Sequence, residues 1–139
     1  MGTWGPGAFD SDDAGDWVVE FDETQPAQRL ALIVSTLDAV TDVEASDRDI
    51  GVCAAAIAAA ATVAALVPGG PEVDEAYGPQ SLNEPGFVVD TELRERAVRA
   101  LRAVLAPESE WAQLWDEAGD LDEATAVIDG LIRVLSTQA

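Results

Sequence analysis

Apolar residues recur every three or four positions through most of the chain, the spacing that places side chains on one face of an α-helix. Residues that favour helix starts, such as Ser11, Pro26 and Ser109, precede these segments, and Gly119 follows one of them. No segment has the sustained alternation of apolar and polar residues that is typical of a half-buried strand. The pattern predicts an all-α fold, a compact single-domain bundle of five or six helices spanning residues 1–139.

Each predicted helix has an apolar stripe that we expect to face the core. In the first helix, Trp17 and Phe21 are four residues apart and share one face. The stripes of four later helices are, in chain order, Leu30, Ile33, Val34, Leu37 and Val40; Leu93, Ala97, Leu101, Val104 and Leu105; Trp111, Leu114, Trp115 and Ala118; and Leu121, Ala124, Ile128, Leu131 and Leu135.

The third predicted helix is apolar on nearly all sides. We expect it to begin at Ser46, with Asp49 three residues later in an acidic variant of the capping box, and to end at Val67. Its residues 50–67 carry no charge, and this length reaches the lower limit of a membrane-spanning helix. Because most of them are alanine and acids flank both ends, we predict a helix buried inside the bundle and no membrane span.

Two segments lack helical periodicity. Residues 1–10 contain three glycines and a proline, which predicts an irregular N-terminal clasp. Residues 68–89 form a long Pro/Gly-rich central loop, and loops of this length in compact domains are usually functional or mobile. Tyr77 and Phe87 are the residues that we expect to hold this loop against the core.

The composition of the chain excludes several classes of enzyme, because residue types that they need are missing. The 139-residue chain has 27 acidic residues, seven arginines, one cysteine and neither lysine nor histidine, for a net charge of −20. The missing residues exclude His-based acid–base catalysis, Ser-His-Asp triads, His-ligated zinc and lysine Schiff bases. We therefore expect a non-enzymatic protein without a cofactor. No basic segment precedes an apolar run at the N-terminus, so we also expect no signal peptide and a cytoplasmic location.

The acidity indicates which partners the surface favours. Residues 1–93 hold 18 of the acids and two of the arginines, so most of the negative charge precedes Arg94. Such a surface repels nucleic acid and anionic lipid and attracts basic proteins. An acidic surface also serves solubility, and arginine in place of lysine accords with a GC-rich genome or a salt-loving host. The net charge alone does not distinguish these explanations.

The densest polar cluster is an acidic run near the N-terminus. Asp10, Asp12, Asp13 and Asp16 are four carboxylates within seven residues, and carboxylate oxygens suit Ca²⁺ or Mg²⁺. Their spacing is not that of an EF-hand loop, and acids at the start of a helix are also favoured by its dipole. A negative ridge is therefore a better description than a metal cage. The residues that we expect to contact a basic partner are Asp12, Asp13, Asp16, Glu20, Glu72, Asp74, Glu75 and Tyr77.

Other reactive residue types have simpler structural interpretations. Cys53 lies in an apolar run, so we expect it to pack as a small apolar residue rather than to act as a nucleophile. The four tryptophans are expected in the core rather than on a sugar-binding platform. The arginines at positions 94, 96, 99 and 102 either form an anion site or neutralise acids on a solvated helix face.

Two motifs resemble those of a known bacterial family. The stretch Trp-Gly-x-Gly-x-Phe, then Asp-x-Ala-x-Asp-Trp, is similar to the N-terminal signature of domain-of-unknown-function family 4259, and residues 109–115 are similar to the family's Ser-Glu-Leu-x-x-Leu-Trp. The family often has a Glu in its Ala-rich middle, where this chain has no acid between Asp49 and Glu72. The resemblance implies a small helical domain and no known activity. The motif residues with a predicted structural role are Trp4, Gly5, Gly7, Phe9, Trp17, Trp111 and Trp115.

These observations lead to three hypotheses. The first is a non-enzymatic interaction module that binds a basic protein, for example an immunity or inhibitor protein that blocks a basic nuclease or toxin. The second is a divalent-metal-binding protein or hydrolase that uses the N-terminal aspartates. The third is a homo-oligomeric structural protein whose Ala-rich helix packs against its copy.

Overall fold

The fold of the chain is all-α, as predicted. The computed structural model describes residues 8–9, 11–44, 47–67, 78–80, 82 and 85–136, and this part of the chain contains six helices and no strand. The helices are α1 (Asp12–Glu23), α2 (Pro26–Thr41), α3 (Ile50–Leu66), α4 (Thr91–Val104), α5 (Glu110–Ala118) and α6 (Leu121–Ser136).

Helix α3 is the centre of the bundle, because it packs against each of the other five helices. Eleven of its 17 residues are buried, so no side of the helix is left for solvent. Alanine allows this arrangement because its small side chain lets several helix backbones approach at once. The hydroxyl of the buried Thr62 donates a hydrogen bond to the Ala58 carbonyl oxygen at 2.9 Å, so it does not remain unpaired. The prediction of a buried third helix is confirmed.

No helix in the described ranges combines the length and the apolar character that crossing a membrane requires.

The helix starts follow capping chemistry. Ser11 and Ser109 are N-caps as predicted, and Asp90 is the N-cap of α4; each of the three side chains accepts a hydrogen bond from a backbone N–H three residues later. The predicted start of α3 at Ser46 is wrong. The helix begins at Ile50, because Asp49 has an extended backbone and its carboxylate accepts the Val52 N–H at 2.8 Å. Ser46 itself lies outside the described residues.

The predicted stripe of α2 is correct in its second half and wrong in its first. Ile33, Leu37 and Val40 are fully buried, whereas Leu30 is 39% exposed. The buried residue at this end is Arg29, which is only 7% exposed. The stripe therefore continues toward the N-terminus in four-residue steps, and a charged residue occupies its first position.

Helix α5 is also less buried than its pattern predicts. Trp111 and Ala112 are buried, but Leu114 is 44% exposed, Trp115 is partly buried and Ala118 is exposed. The reason is that this nine-residue helix packs mainly against α3 and α6, so two of its sides face solvent. In α4 and α6 the predicted stripes are buried except for Leu105 and Leu121, which are half-buried.

The described parts of the connection between α3 and α4 lie against α1 and α2. Gly78 and Pro79 are buried, and the Gln80 N–H donates to both carboxylate oxygens of Asp22 at 3.1 and 3.0 Å. Gly86 has a φ of 89°, and a Cβ at this position would lie 2.1 Å from the Pro26 carbonyl oxygen. Glycine is therefore required where this segment crosses the start of α2.

Candidate functional site

The exposed side of α1 is acidic. At 100° per residue, six of its residues fall within a sector about 120° wide, and all six are exposed. Five are acids and one is Val19, which is 55% exposed at the edge of the sector. We call this surface the acidic face; it consists of Asp12, Asp13, Asp16, Val19, Glu20 and Glu23.

The carboxylates of the acidic face form no ion pair with any arginine in the part of the chain that the structure describes. Within the described residues, Asp12, Asp13, Asp16 and Glu20 form no ion pair, although all four were predicted to contact a basic partner. Because like charges on one helix face repel one another, this arrangement favours a cationic partner. The structure places these four residues together on one surface, as their spacing predicts.

The buried side of α1 fixes this surface to the bundle. The Trp17 Nε1–H donates to the Thr36 Oγ1 at 2.9 Å, and the Thr36 hydroxyl donates in turn to the Leu32 carbonyl oxygen at 2.8 Å. The rings of Trp17 and Phe21 stack with centroids 5.3 Å apart. Because the indole N–H has a partner and its ring packs on Phe21, α1 has a defined orientation on α2.

Arg29 binds the C-terminal end of α1. Its Nε donates to the Phe21 carbonyl oxygen at 3.1 Å and its Nη2 to the Asp22 carbonyl oxygen at 3.3 Å, while the guanidinium lies 5.3 Å from the centroid of the Phe21 ring. The last carbonyls of a helix lack partners within it and carry partial negative charge. The hydrophobic pattern of the sequence does not predict this role of Arg29. The available signal was that α1 has no basic residue in its last turn and that position 29 continues the α2 stripe.

Two further arginines bind other groups within the bundle and so stabilise the fold. Arg48 donates from Nε to the Val40 carbonyl oxygen at 2.8 Å and from Nη1 to the Ala103 carbonyl oxygen at 3.1 Å, so it joins the ends of α2 and α4. Arg96 forms an ion pair with Asp38 at 2.6 Å, and the hydrogen bond from this pair raises the pKa of Arg96.

The predicted metal ligands do not form a cluster in the described structure. Among the described residues no group of three or more His, Cys, Asp or Glu side chains is arranged to hold a metal ion, and Asp10 lies outside them. Asp13 instead lies near the start of α3, where its Oδ1 would be 3.7 Å from a Cβ added to Gly51. The metal hypothesis therefore depends on Asp10 and is not supported by Asp12, Asp13 and Asp16 alone.

Carboxylates compensate the positive end of the buried helix α3. Asp49 caps it, and the Glu110 Oε1 accepts the Ile50 N–H at 2.6 Å while the Glu110 N–H donates to the Arg48 carbonyl oxygen at 2.9 Å. With Asp13 beside Gly51, three acids surround one helix start. Part of the acidity that the sequence shows therefore stabilises the fold through the helix dipole.

Cys53 is buried in the first turn of α3, as predicted. Its Sγ lies 3.8 Å from the Arg48 carbonyl oxygen, and burial raises the pKa of the thiol from 9.0 to about 11. The thiolate is the reactive form, so a buried thiol with a raised pKa is a poor nucleophile.

We expect Cys53 to react with Ellman's reagent near pH 8 about 100-fold more slowly in the native protein than in denaturant. Two pKa units lower the thiolate fraction by this factor, and burial restricts access further. The folded state holds this proton more tightly, so its contribution to stability is present below pH 9 and is lost as the pH rises toward 11. Equal rates in the two states would contradict this environment.

The other residues singled out in the sequence divide into two groups. Phe9, Trp17 and Trp111 are buried in the core, and Trp115 packs against Trp111 with ring centroids 6.5 Å apart. The remaining ones lie outside the described residues; they are Trp4, Gly5, Gly7, Glu72, Asp74, Glu75 and Tyr77.

Comparison with known proteins identifies the family. The model of a family described as "Domain of unknown function (DUF4259)" matches residues 2–126, which include α1 to α5 and the start of α6. The curated proteins and the solved structures contain no match to the chain. The family match covers the opening motif, the Ala-rich helix and the second tryptophan motif from which the resemblance was inferred. The chain therefore belongs to the DUF4259 family.

Proposed function

We propose that this protein is a non-enzymatic interaction module that binds a basic protein through the acidic face of α1. The observation that carries the proposal is the set of exposed carboxylates on one side of α1, which form no ion pair with any described residue. A net charge of −20 on the whole chain extends the attraction over longer distances.

The buried contacts of α1 support a docking role. The Trp17 and Arg29 hydrogen bonds hold the helix in place, so the acidic face does not need to be ordered when a partner binds. Val19 adds an exposed apolar side chain at the edge of the charges. Binding a basic partner would relieve the repulsion among the carboxylates and would cover Val19. Long-range attraction of this kind raises the association rate more than it lowers the dissociation rate.

Neutralising three acids of this face should abolish selective capture of a basic protein. The variant Asp12→Asn/Asp16→Asn/Glu20→Gln and the wild type are used as bait in a lysate of the source organism at low salt. We expect a basic protein to be retained by the wild type, released at high salt, and retained about tenfold less by the variant, because close opposite charges at an interface guide and stabilise binding.

A matched variant separates this site from the overall charge. Glu108→Gln/Asp116→Asn/Glu117→Gln also removes three exposed acids, but near α5. It should retain the partner as the wild type does. If both variants lose the partner equally, attraction depends only on net charge, and if the wild type retains no basic protein at low salt, the proposal fails. Circular dichroism checks that each variant is folded.

One concrete form of this function is an immunity or inhibitor protein that covers a basic nuclease or toxin. Such a partner binds polyanions, and a rigid acidic helix would occupy the same basic surface. A gene for a nuclease or toxin beside the gene of this protein would favour this form over other basic partners.

The homo-oligomer hypothesis is less well supported by the geometry. It requires the Ala-rich helix to pack against a second copy, but the other five helices of the same chain already cover α3. A dimer through this helix would need the bundle to open.

A further inference from the structure

The seven arginines of the chain are unevenly distributed, and several of them are concentrated on α4. Arg29, Arg48 and Arg96 bind carbonyls or a carboxylate within the bundle, as described above. Three of the remaining four lie together on α4 and line one groove; they are Arg94, Arg99 and Arg102. In a chain with 27 acids and no lysine, this concentration of cations stands out from the rest of the surface.

The groove lies between α4 and the C-terminal end of α6 and has a volume of about 810 Å³, within the range of small-molecule sites. Arg94, Val98 and Arg102 follow one another at four-residue steps and so share one side of α4. Leu135 and Ser136 of α6 form the facing wall. The groove therefore presents guanidinium groups beside an apolar surface.

Two of the three arginines in the groove lack a partner in the described part of the chain. Arg99 and Arg102 are exposed and form no ion pair or hydrogen bond with any described part of the chain. Two acids also line the groove, but the Asp90 carboxylate is occupied as the N-cap of α4, where it accepts the Leu93 N–H at 2.8 Å. Glu95 is the other acid, and it is exposed.

We propose that this groove binds a small organic anion that carries a phosphate or carboxylate group and an apolar portion. A guanidinium can bind either anionic group with two parallel hydrogen bonds. Arg99 and Arg102 would hold the anionic group, and the partly exposed Val89 and Val98 would contact the apolar portion. This site is separate from the acidic face, and the inference does not depend on the basic partner.

Isothermal titration calorimetry with pyrophosphate and with citrate tests the site, with sodium chloride at equal ionic strength as the reference. We expect at least one of the two anions to bind at millimolar concentration. Arg99→Gln and Arg102→Gln should each weaken that binding about tenfold, because a charged hydrogen-bond donor is removed. Both side chains are exposed, so the variants should unfold at the wild-type temperature.

Arg133→Gln is the matched control, because it makes the same charge change on α6 at a residue that does not line the groove. It should leave the affinity within about twofold of the wild type. Binding of pyrophosphate alone assigns a phosphate-bearing ligand, and binding of citrate alone assigns a carboxylate. The proposal is overturned if neither anion binds, or if Arg133→Gln weakens binding as much as Arg102→Gln does.

Discussion

Replacing Arg29 by methionine should lower the free energy of unfolding by about 2–4 kcal/mol. Methionine can fill the space of the aliphatic stem, but it has no donors for the Phe21 and Asp22 carbonyl oxygens. These carbonyls end α1 beneath a buried side chain and would lose charged donors, which costs more than the loss of a neutral hydrogen bond. The contact between the guanidinium and the Phe21 ring would also be lost. Urea denaturation measures the change.

Two further variants show whether the guanidinium itself is responsible. Arg29→Lys keeps the charge but not the planar group that reaches two carbonyls at once, so it should recover only part of the stability. Arg99→Met makes the same substitution at an exposed arginine of α4 and should change the stability by at most about 0.5 kcal/mol. If Arg29→Met were as stable as Arg99→Met, Arg29 would not hold α1 in place.

The example of Arg29 shows what the sequence could and could not predict. Spacing and capping rules were sufficient for the α1 cap at Ser11, the pairing of Trp17 with Phe21 and the stripes of α4 and α6, because those features depend on residues close together in the chain. The burial of Arg29 depends on carbonyls that another helix supplies. A prediction from hydrophobic spacing treats every arginine as exposed. It therefore placed Leu30 in the core, although the buried residue is Arg29.

The candidate sites were predictable to different degrees for the same reason. The acidic face lies on one helix, so the spacing of Asp12, Asp16 and Glu20 was enough to predict a shared surface. The arginine groove needs α6 as its second wall, and the sequence could not separate Arg96, which pairs with Asp38, from its neighbours. The sequence likewise could not show that Asp13, Asp49 and Glu110 meet at the start of α3, because 60 residues separate Ile50 from Glu110.

Replacing Ala60 by leucine should destabilise the fold by about 1–3 kcal/mol, although leucine is the more hydrophobic residue. Ala60 is fully buried in the middle of α3, and the helix is packed against neighbours on every side. The larger side chain therefore has to displace another helix. This outcome would show that a small side chain at this position sets the distance between α3 and its neighbours.

An exposed alanine provides the control for this prediction. Ala126→Leu makes the same substitution on the solvent side of α6 and should alter the stability by at most about 0.5 kcal/mol. If Ala60→Leu were equally harmless, the centre of the bundle would have room for larger side chains. The inference that the helices pack closely around α3 would then be wrong. A loss confined to Ala60→Leu would show that the packing around the middle of α3 requires a small side chain at this position.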